Sequence, residues 1–464
     1  MKKPQFFGAL LTLCLITLST ACFAVEDEGD EPAAGSQKAK SVKKKKTSAK
    51  GAVFKIDRLR LESGVFLDGT APDSSNYAHA AASFNWQPDQ QWEFQLGGRL
   101  DGYLQTGSPD FSRLRADYTE NFIRWRGQGA RFTVGAQNIL WGRTDEIPPI
   151  DRLSRADLNR FILDGLPDRR RAVPAVRLEK FFDDLKADLV WVPKFQEAKL
   201  PPWESVWHPV DRQRGRIIGV EPSPALTYLV QNGSFSEDNH GAGGGGIRIT
   251  QTGGGFDWGL SLQRARQSAP YYQLNPALRA PLLSGSAAAA LASVTGPTFT
   301  AIHPMSTVAG AELELQGAGA TWRVEAAYSS DVPATTQDLR YLTKSAIDLV
   351  AGAEFFPGDG ETRATIQLAA HQLRTNELLL ERKNFYGVTG ELEHPFGQGR
   401  WRANLRFLAG VNHRDRYLNP KLTYLGFEPY EIYLGAHFFS GDDRGLGGFH
   451  RDHEMIVLGW QARY

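Results

Sequence analysis

The chain has 464 residues, with Lys+Arg 53 against Asp+Glu 52; a formal charge of +1 gives no bulk attraction to nucleic acid. Both cysteines, Cys14 and Cys22, fall in the leader, which excludes thiol redox chemistry and Cys-ligated metal from everything after it. Past the leader no apolar run reaches the roughly 20 residues that a spanning helix needs, so a helical membrane protein is excluded as well.

Lys2 and Lys3, an apolar run from Phe6 to Thr17 and the small residues Ser19, Thr20, Ala21 and Ala24 have the three-part layout of a secretory signal peptide, expected to span 1–24. Ser19, three before Cys22, stands where a lipidation signal wants an aliphatic residue. Residues 25–52 carry acidic Glu26, Asp27, Glu28, Asp30 and Glu31, then Lys38, Lys40 and Lys43 to Lys46. Like-charge blocks with so few apolar residues cannot bury a core, so a disordered periplasmic tail is expected. A solvated tail is the plainer account; contact of its lysines with peptidoglycan, anionic lipid or a periplasmic partner is the sharper one. Residues 53–464 contain no linker and are expected to form one domain.

That domain repeats period-two alternation in stretches of about ten residues. Near its start Trp92, Phe94, Leu96, Leu100 and Leu104 alternate with Glu93, Gln95, Arg99, Asp101 and Tyr103. The pattern recurs at 78–86, 130–136, 185–191, 256–262, 309–315, 322–328, 347–355, 364–370, 386–392, 401–411 and 430–438. A soluble sandwich also hides one face, but two features favour a membrane wall. Short turns such as Gly127-Gln128-Gly129, Asp183-Asp184, Gly317-Ala318-Gly319 and Glu428-Pro429 are expected to alternate with long polar connections, the hairpin rhythm of an outer-membrane barrel. Aromatics flank those turns, as with Trp86 and Trp92, Trp125 and Phe132, and Phe396 and Trp401, placed as an interfacial girdle. Ile456, Leu458, Trp460, Ala462 and Tyr464 alternate to a terminal aromatic, similar to the last-strand signal read by the barrel-assembly machinery. The expected fold is an all-β, transmembrane, antiparallel up-and-down barrel of about 18 strands, with about 16 as the alternative, and with an inward-folded loop. It is expected in a Gram-negative outer membrane, in contact with outer-membrane lipid.

The stretch from Trp141 to Arg171 lacks alternation, holds Pro148-Pro149 and is dense in both charges. It is expected to fold inward as a pore constriction lined by Arg143, Asp145, Glu146, Asp151, Arg152, Arg155, Asp157, Arg169, Arg170 and Arg171; the plainer alternative is a solvated surface loop. Arg99, Asp101, Arg131, Arg177, Arg363, Arg402 and Arg406 are expected on the lumen face, among acids such as Glu93, Glu179, Asp188, Glu312 and Glu325. Such mixed signs suit either a ladder of ion pairs that stiffens the wall or a guide for a charged or amphipathic solute. The long connection 194–239 is expected to cover the mouth, and the Ala-rich run 284–292 within 266–305 to form a short helix. His450 and His453 are the closest histidine pair and lack the carboxylate or thiol company of a metal site. With no nucleophile elbow, Walker loop, dinucleotide fingerprint or ligand cluster, neither catalysis nor a cofactor or metal is expected.

Gly135-Ala136-Gln137-Asn138-Ile139-Leu140-Trp141-Gly142, then Asp151, Asp157-Leu158-Asn159 and Val190-Trp191-Val192-Pro193-Lys194-Phe195, resemble a proteobacterial outer-membrane β-barrel family of unknown function. Leu418-Asn419-Pro420-Lys421 and Phe438-Phe439-Ser440-Gly441-Asp442 extend the likeness, while alginate-export and substrate-specific porin barrels are more distantly similar. The acidic-then-basic tail departs from the family. The resemblance implies a monomeric barrel working beside a periplasmic or inner-membrane transport partner. The expected function is a channel or transport protein for a small polar, amphipathic or lipid-like solute; the alternative is a non-conducting barrel that binds a ligand or protein through its outer loops.

Overall fold

The computed structural model describes residues 51–464; the leader and the charged tail up to residue 50 lie outside the described residues. Period-two alternation produces the wall. Its first strands are β1 (Gly51–Phe66), β2 (Ser74–Gln87), β3 (Trp92–Thr106) and β4, in two pieces, Phe111–Tyr118 and Asn121–Gly127, that both pair with β3. The next are β5 (Ala130–Gln137), β6 (Val173–Phe182), β7 (Leu185–Val192), β8 (Gly244–Gln251), β9 (Phe256–Arg266) and β10 (Met305–Gly317). Then follow β11 (Ala320–Thr335), β12 (Tyr341–Phe355), β13 (Arg363–Leu373), β14 (Asn384–Phe396), β15 (Trp401–Gly410), β16 (Asp415–Phe427), β17 (Tyr430–Gly441) and β18 (Met455–Arg463).

Each strand pairs antiparallel with the next, and β1 pairs back to β18 from Arg58↔Arg463 to Phe66↔Met455. The result is a closed 18-strand antiparallel barrel. Closure leaves no open sheet edge from Arg58 to Phe66, where β1 meets β18, which hydrocarbon demands because it offers the ladder N–H and C=O groups no partner of its own. Side chains alternate across this wall: on β3, Trp92 is 41% and Leu96 61% exposed, whereas Glu93 is 7% and Asp101 0%. One irregularity, between Ile56 and Arg58, shifts the alternation of β1 by a residue and turns Arg58, Arg60 and Glu62 to the inside. Aromatic pairs ring the tight-turn end, with Trp86 on Phe94 at 4.9 Å, Trp401 on Tyr424 at 4.8 Å and Tyr430 on Trp460 at 5.8 Å between ring centroids.

The expected short-then-long rhythm holds only in part. Connections 107–110, 336–340 and 411–414 at the opposite end are as short as the turns. A hairpin closes with a few residues at either end, so length appears only where a connection does more than close it. Connections 193–243 and 267–304 do more, folding into a lid. It contains α1 (Pro224–Asn232), α2 (Arg279–Ser284) and α3 (Ala287–Ser293), and a small sheet of Phe235–Glu237, Phe299–Ile302 and Tyr271–Leu274. Ser223 and Ser286 accept the first free amides of α1 and α3, and Pro224 supplies a preset first turn. Val210, Leu229, Val230, Leu278, Ala290 and Phe299 form the lid's own core.

Candidate constriction inside the barrel

Residues 138–172 leave β5 and return at β6 without pairing to the wall as a strand. Pro148 and Pro149 supply no amide for a ladder, so the segment is free to take another course. It runs into the lumen and is seated by large side chains in places where the wall has none. Trp141 lies against Gly246 of β8, whose added Cβ would meet Trp141 Cζ3 at 3.0 Å, and its indole N–H donates to Asp188 Oδ2 at 3.1 Å. Ile150 lies against Gly310 of β10, whose added Cβ would meet Ile150 Cγ2 at 2.4 Å. Ile162 and Leu163 join Tyr417, Phe439, Met455 and Val457 of β16–β18, with Trp207 of the lid, in a third apolar contact.

Ion pairs tie the segment to the wall between these seats. The carboxylate of Glu325 accepts the backbone amides of Arg143 and of Thr144, the latter at 2.5 Å. Gly142 permits this approach: its φ is +116°, and an added Cβ would sit 3.1 Å from both Glu325 oxygens. Arg143 reaches Glu312 at 3.2 Å and Asp257 at 3.3 Å, Asp145 reaches Arg323 at 3.3 Å, and Arg152 reaches Asp348 at 3.4 Å. Glu146 stands between two guanidiniums, Arg169 within the segment and Arg406 of β15, both at 2.6 Å. Asp151 pairs with Arg170 at 2.6 Å, Asp157 with Arg171, and Arg171 also lies 3.4 Å from Asp101 of β3. Arg155 points toward the lid, donating to the Glu197 carbonyl at 2.6 Å.

Burial alone would raise Glu146, but Arg406 and Arg169 outweigh it and hold its carboxyl below the usual range. Burial prevails at Asp151, against Arg170, and at Asp145, against Arg323, so both are pushed upward.

The remaining residues expected on the lumen face all stand in ion pairs. Arg99 meets Asp101 at 2.6 Å, Arg131 meets Glu179 at 3.2 Å, Arg177 meets Asp188 at 2.6 Å, Arg363 meets Glu354 at 2.9 Å and Arg402 meets Glu393 at 3.8 Å. A further cluster, not among the expected lumen residues, joins β1 to the inward segment. Arg60 contacts Glu62 at 2.6 Å and Asp164 at 2.9 Å, Arg160 bridges Glu62 and Asp164, and Arg58 holds Asp168 at 2.7 Å. Its signal was present in the alternation of Arg58, Arg60 and Glu62 with Leu59 and Leu61. Toward the tight-turn end of β9–β17 the inner face stays wetter, with the side chains of Asp257, Glu314, Glu391, Glu393 and Glu431 between 23% and 39% exposed beside Arg323, Arg363 and Arg402. No group of three or more His, Cys, Asp or Glu able to hold a metal occurs among the described residues.

A barrel wall with an ion-paired segment across its lumen is the context in which the family match falls. The model of the family described as Protein of unknown function (DUF1302) matches residues 53–415. The chain belongs to this family. No curated protein matches it. Among solved structures, OccAB1 of Acinetobacter baumannii is similar at 8% identity and TM-score 0.51, over 89% of this chain and 96% of that one. The outer-membrane channel DcaP of the same species has 9% identity and TM-score 0.42, over 90% and 99%. Wzi of Escherichia coli, a carbohydrate-binding β-barrel involved in group 1 capsule assembly, has 12% identity and TM-score 0.44, over 88% and 85%. At these identities the likeness concerns the fold of porin-like outer-membrane barrels.

Proposed function

We propose that the protein is an outer-membrane channel for a small polar or amphipathic solute, narrowed by residues 138–172 and widening toward the tight-turn end. The observation that carries this is the uneven filling of the lumen. The inward segment packs apolar residues against β6–β7, β9–β11 and β16–β18 and ion-pairs with β9–β12 and β15, whereas carboxylates and arginines near the tight turns of β9–β17 remain in contact with water. Barrels of 16–18 strands are wide enough for an aqueous passage beside such a segment. Among these water-contacting groups carboxylates outnumber guanidiniums, which favours cations over anions of equal size. The outward apolar face and aromatic ring support an outer-membrane location.

The test is single-channel recording in planar bilayers under a salt gradient. The channel account expects discrete conductance steps, a reversal potential of cation-preferring sign, and a shift toward zero in Glu391→Gln/Glu393→Gln. A second account, a non-conducting barrel that binds through its outer loops, draws support from the apolar contact of Ile162, Leu163 and Trp207 with Tyr417 and Phe439. Silence of both the wild type and a variant lacking 143–168 favours that account over the channel.

A further inference from the structure

The outer piece of β4, Phe111–Tyr118, pairs with β3 from Gly98↔Tyr118 to Gln105↔Phe111 and with no other strand among the described residues. β5 would flank it, but pairs only with the second piece, Asn121–Gly127, and leaves for the lumen after Gln137. The wall therefore has a notch whose lip is an unpaired strand edge. At the end of the lip nearer the tight turns, Tyr118 donates its hydroxyl to Gln196 at 2.8 Å and Asp117 pairs with Lys199 at 3.2 Å. The Tyr118 amide turns back onto the Asp117 carboxylate at 3.0 Å, with no strand there to take it.

Height in the membrane decides what the notch meets. Trp92 and Trp125 pair within the aromatic ring at the tight-turn end. Along β3, Asp101 and Tyr103, the partners of Arg115 and Arg113, stand nine and eleven residues beyond Trp92. A tilted strand crosses hydrocarbon in about 9–11 residues, so both arginines lie at its outer boundary, level with lipid head groups. They share the inner face with buried Asp101 and Tyr103, while Leu114 between them points outward and is 49% exposed. Nearby acids are already taken, Asp101 by Arg99 and Arg171 and Asp117 by Lys199, and neither Arg113 nor Arg115 has an ion pair among the described residues. Other lumen arginines such as Arg99, Arg131, Arg177 and Arg363 all have one.

We propose that the notch seats the phosphate head group of one outer-leaflet lipid, held by Arg113 and Arg115, with its acyl chains along Leu114. Guanidinium forks take phosphate oxygens two at a time. Amides of the unpaired edge face the same space and add donors, and a polar head group there keeps acyl chains off an open edge. A pairing strand would satisfy those amides yet leave two uncompensated guanidiniums beside it; a phosphate answers both. The inference is independent of conduction and needs only the outer-membrane location.

The experiment is native mass spectrometry of the full chain in detergent, titrated with dioleoylphosphatidic acid or dioleoylphosphatidylcholine, beside hydrogen exchange of peptides covering 111–118. The expected result is one phosphatidic acid retained per chain, at least about tenfold tighter than phosphatidylcholine, with exchange at 111–118 slowed at least about threefold. Arg113→Gln/Arg115→Gln abolishes that preference, Arg113→Lys/Arg115→Lys keeps part of it, and Arg414→Gln, at another outer connection, leaves it unchanged. The heat-modifiable gel shift reports that each variant is a folded barrel. Equal retention of both lipids overturns the proposal, as does a preference that survives Arg113→Gln/Arg115→Gln. The exchange arm needs no variant, and equal slowing by the two lipids refutes head-group recognition. Displacement of the lipid by an about tenfold molar excess of inorganic phosphate marks a site for the free ion instead. A second copy, or a copurifying protein, whose removal speeds exchange at 111–118 places a strand on the edge and rules out the lipid as its occupant.

Discussion

Removing Glu146 should release the inward segment, because one carboxylate there compensates two guanidiniums. Its side chain is 15% exposed, and those of Arg406 and Arg169 are 10% and 19%. At about 4 Å between charge centres and an effective dielectric near 20, each attraction is worth about 4 kcal/mol before desolvation is counted. Glu146→Ala leaves two arginines facing each other without a counter-ion, and breaking such a pair from one side costs about 3–5 kcal/mol. Arg406 also holds the carbonyls of Ile162 at 3.0 Å and Asp164 at 3.4 Å, so its displacement loosens the far end of the segment. Local opening should then become roughly 100- to 4,000-fold more frequent. Hydrogen exchange of peptides from 143–171 in lipid nanodiscs measures this directly. Glu146→Ala/Arg406→Ala, which restores charge balance, should recover part of the protection. Exchange within about threefold of wild type in Glu146→Ala would refute the claim that these ion pairs hold the segment.

Trp141→Ala empties the seat beside Gly246 and should cost about 3–5 kcal/mol, read as a lower temperature for the heat-modifiable gel shift. Gly310→Leu drives a side chain into the space of Ile150; the barrel should still assemble, with its conductance steps changed in size and noisier than wild type. Burial, aided by Arg214 and Arg216 and opposed by Asp68, lowers His453 to about 3, and burial lowers His208 to about 4 against its contact with the Val210 carbonyl. Both are neutral when the outer loops are folded, whereas an unfolded loop protonates near pH 6.5. Stability from these two groups is therefore complete above about pH 6.5 and is lost as pH falls toward 4. Limited proteolysis of 200–217 and 446–453 should accelerate across that window, and a flat profile would contradict the assignment.

The wall was legible because lipid on one side and water on the other impose period two on each strand. The Glu428-Pro429 turn was legible for the same reason, as a break in that period. The inward course of 138–172 showed as its inverse, charge and proline without alternation. What stayed hidden was pairing at long range. Nothing local in Glu146 points to Arg406, and Glu325 is an ordinary inward acid until Gly142 brings two amides onto it. Gly246 and Gly310 looked like weak strand positions, although each is a socket for a side chain from the inward segment. The lid's core, unlike its presence over the mouth, was hidden because it is assembled from short apolar pieces of two connections, such as Val210, Leu229 and Phe299, with no shared period. The alternation of Arg58, Arg60 and Glu62 with Leu59 and Leu61 marked an inward face, but its partners Arg160, Asp164 and Asp168 about a hundred residues on were not legible.

The central claim is that alternate residues of one closed wall face hydrocarbon and water. Both natural cysteines precede residue 25, so single cysteines introduced later can be followed by their own labelling. Cysteines at Glu314, Glu391 and Asp257 should react with a membrane-impermeant thiol reagent in intact proteoliposomes. Those at Leu313, Leu392 and Leu260 should react only with a lipid-soluble one. Equal reaction of both sets with the impermeant reagent would contradict a lipid-facing wall around a wet interior.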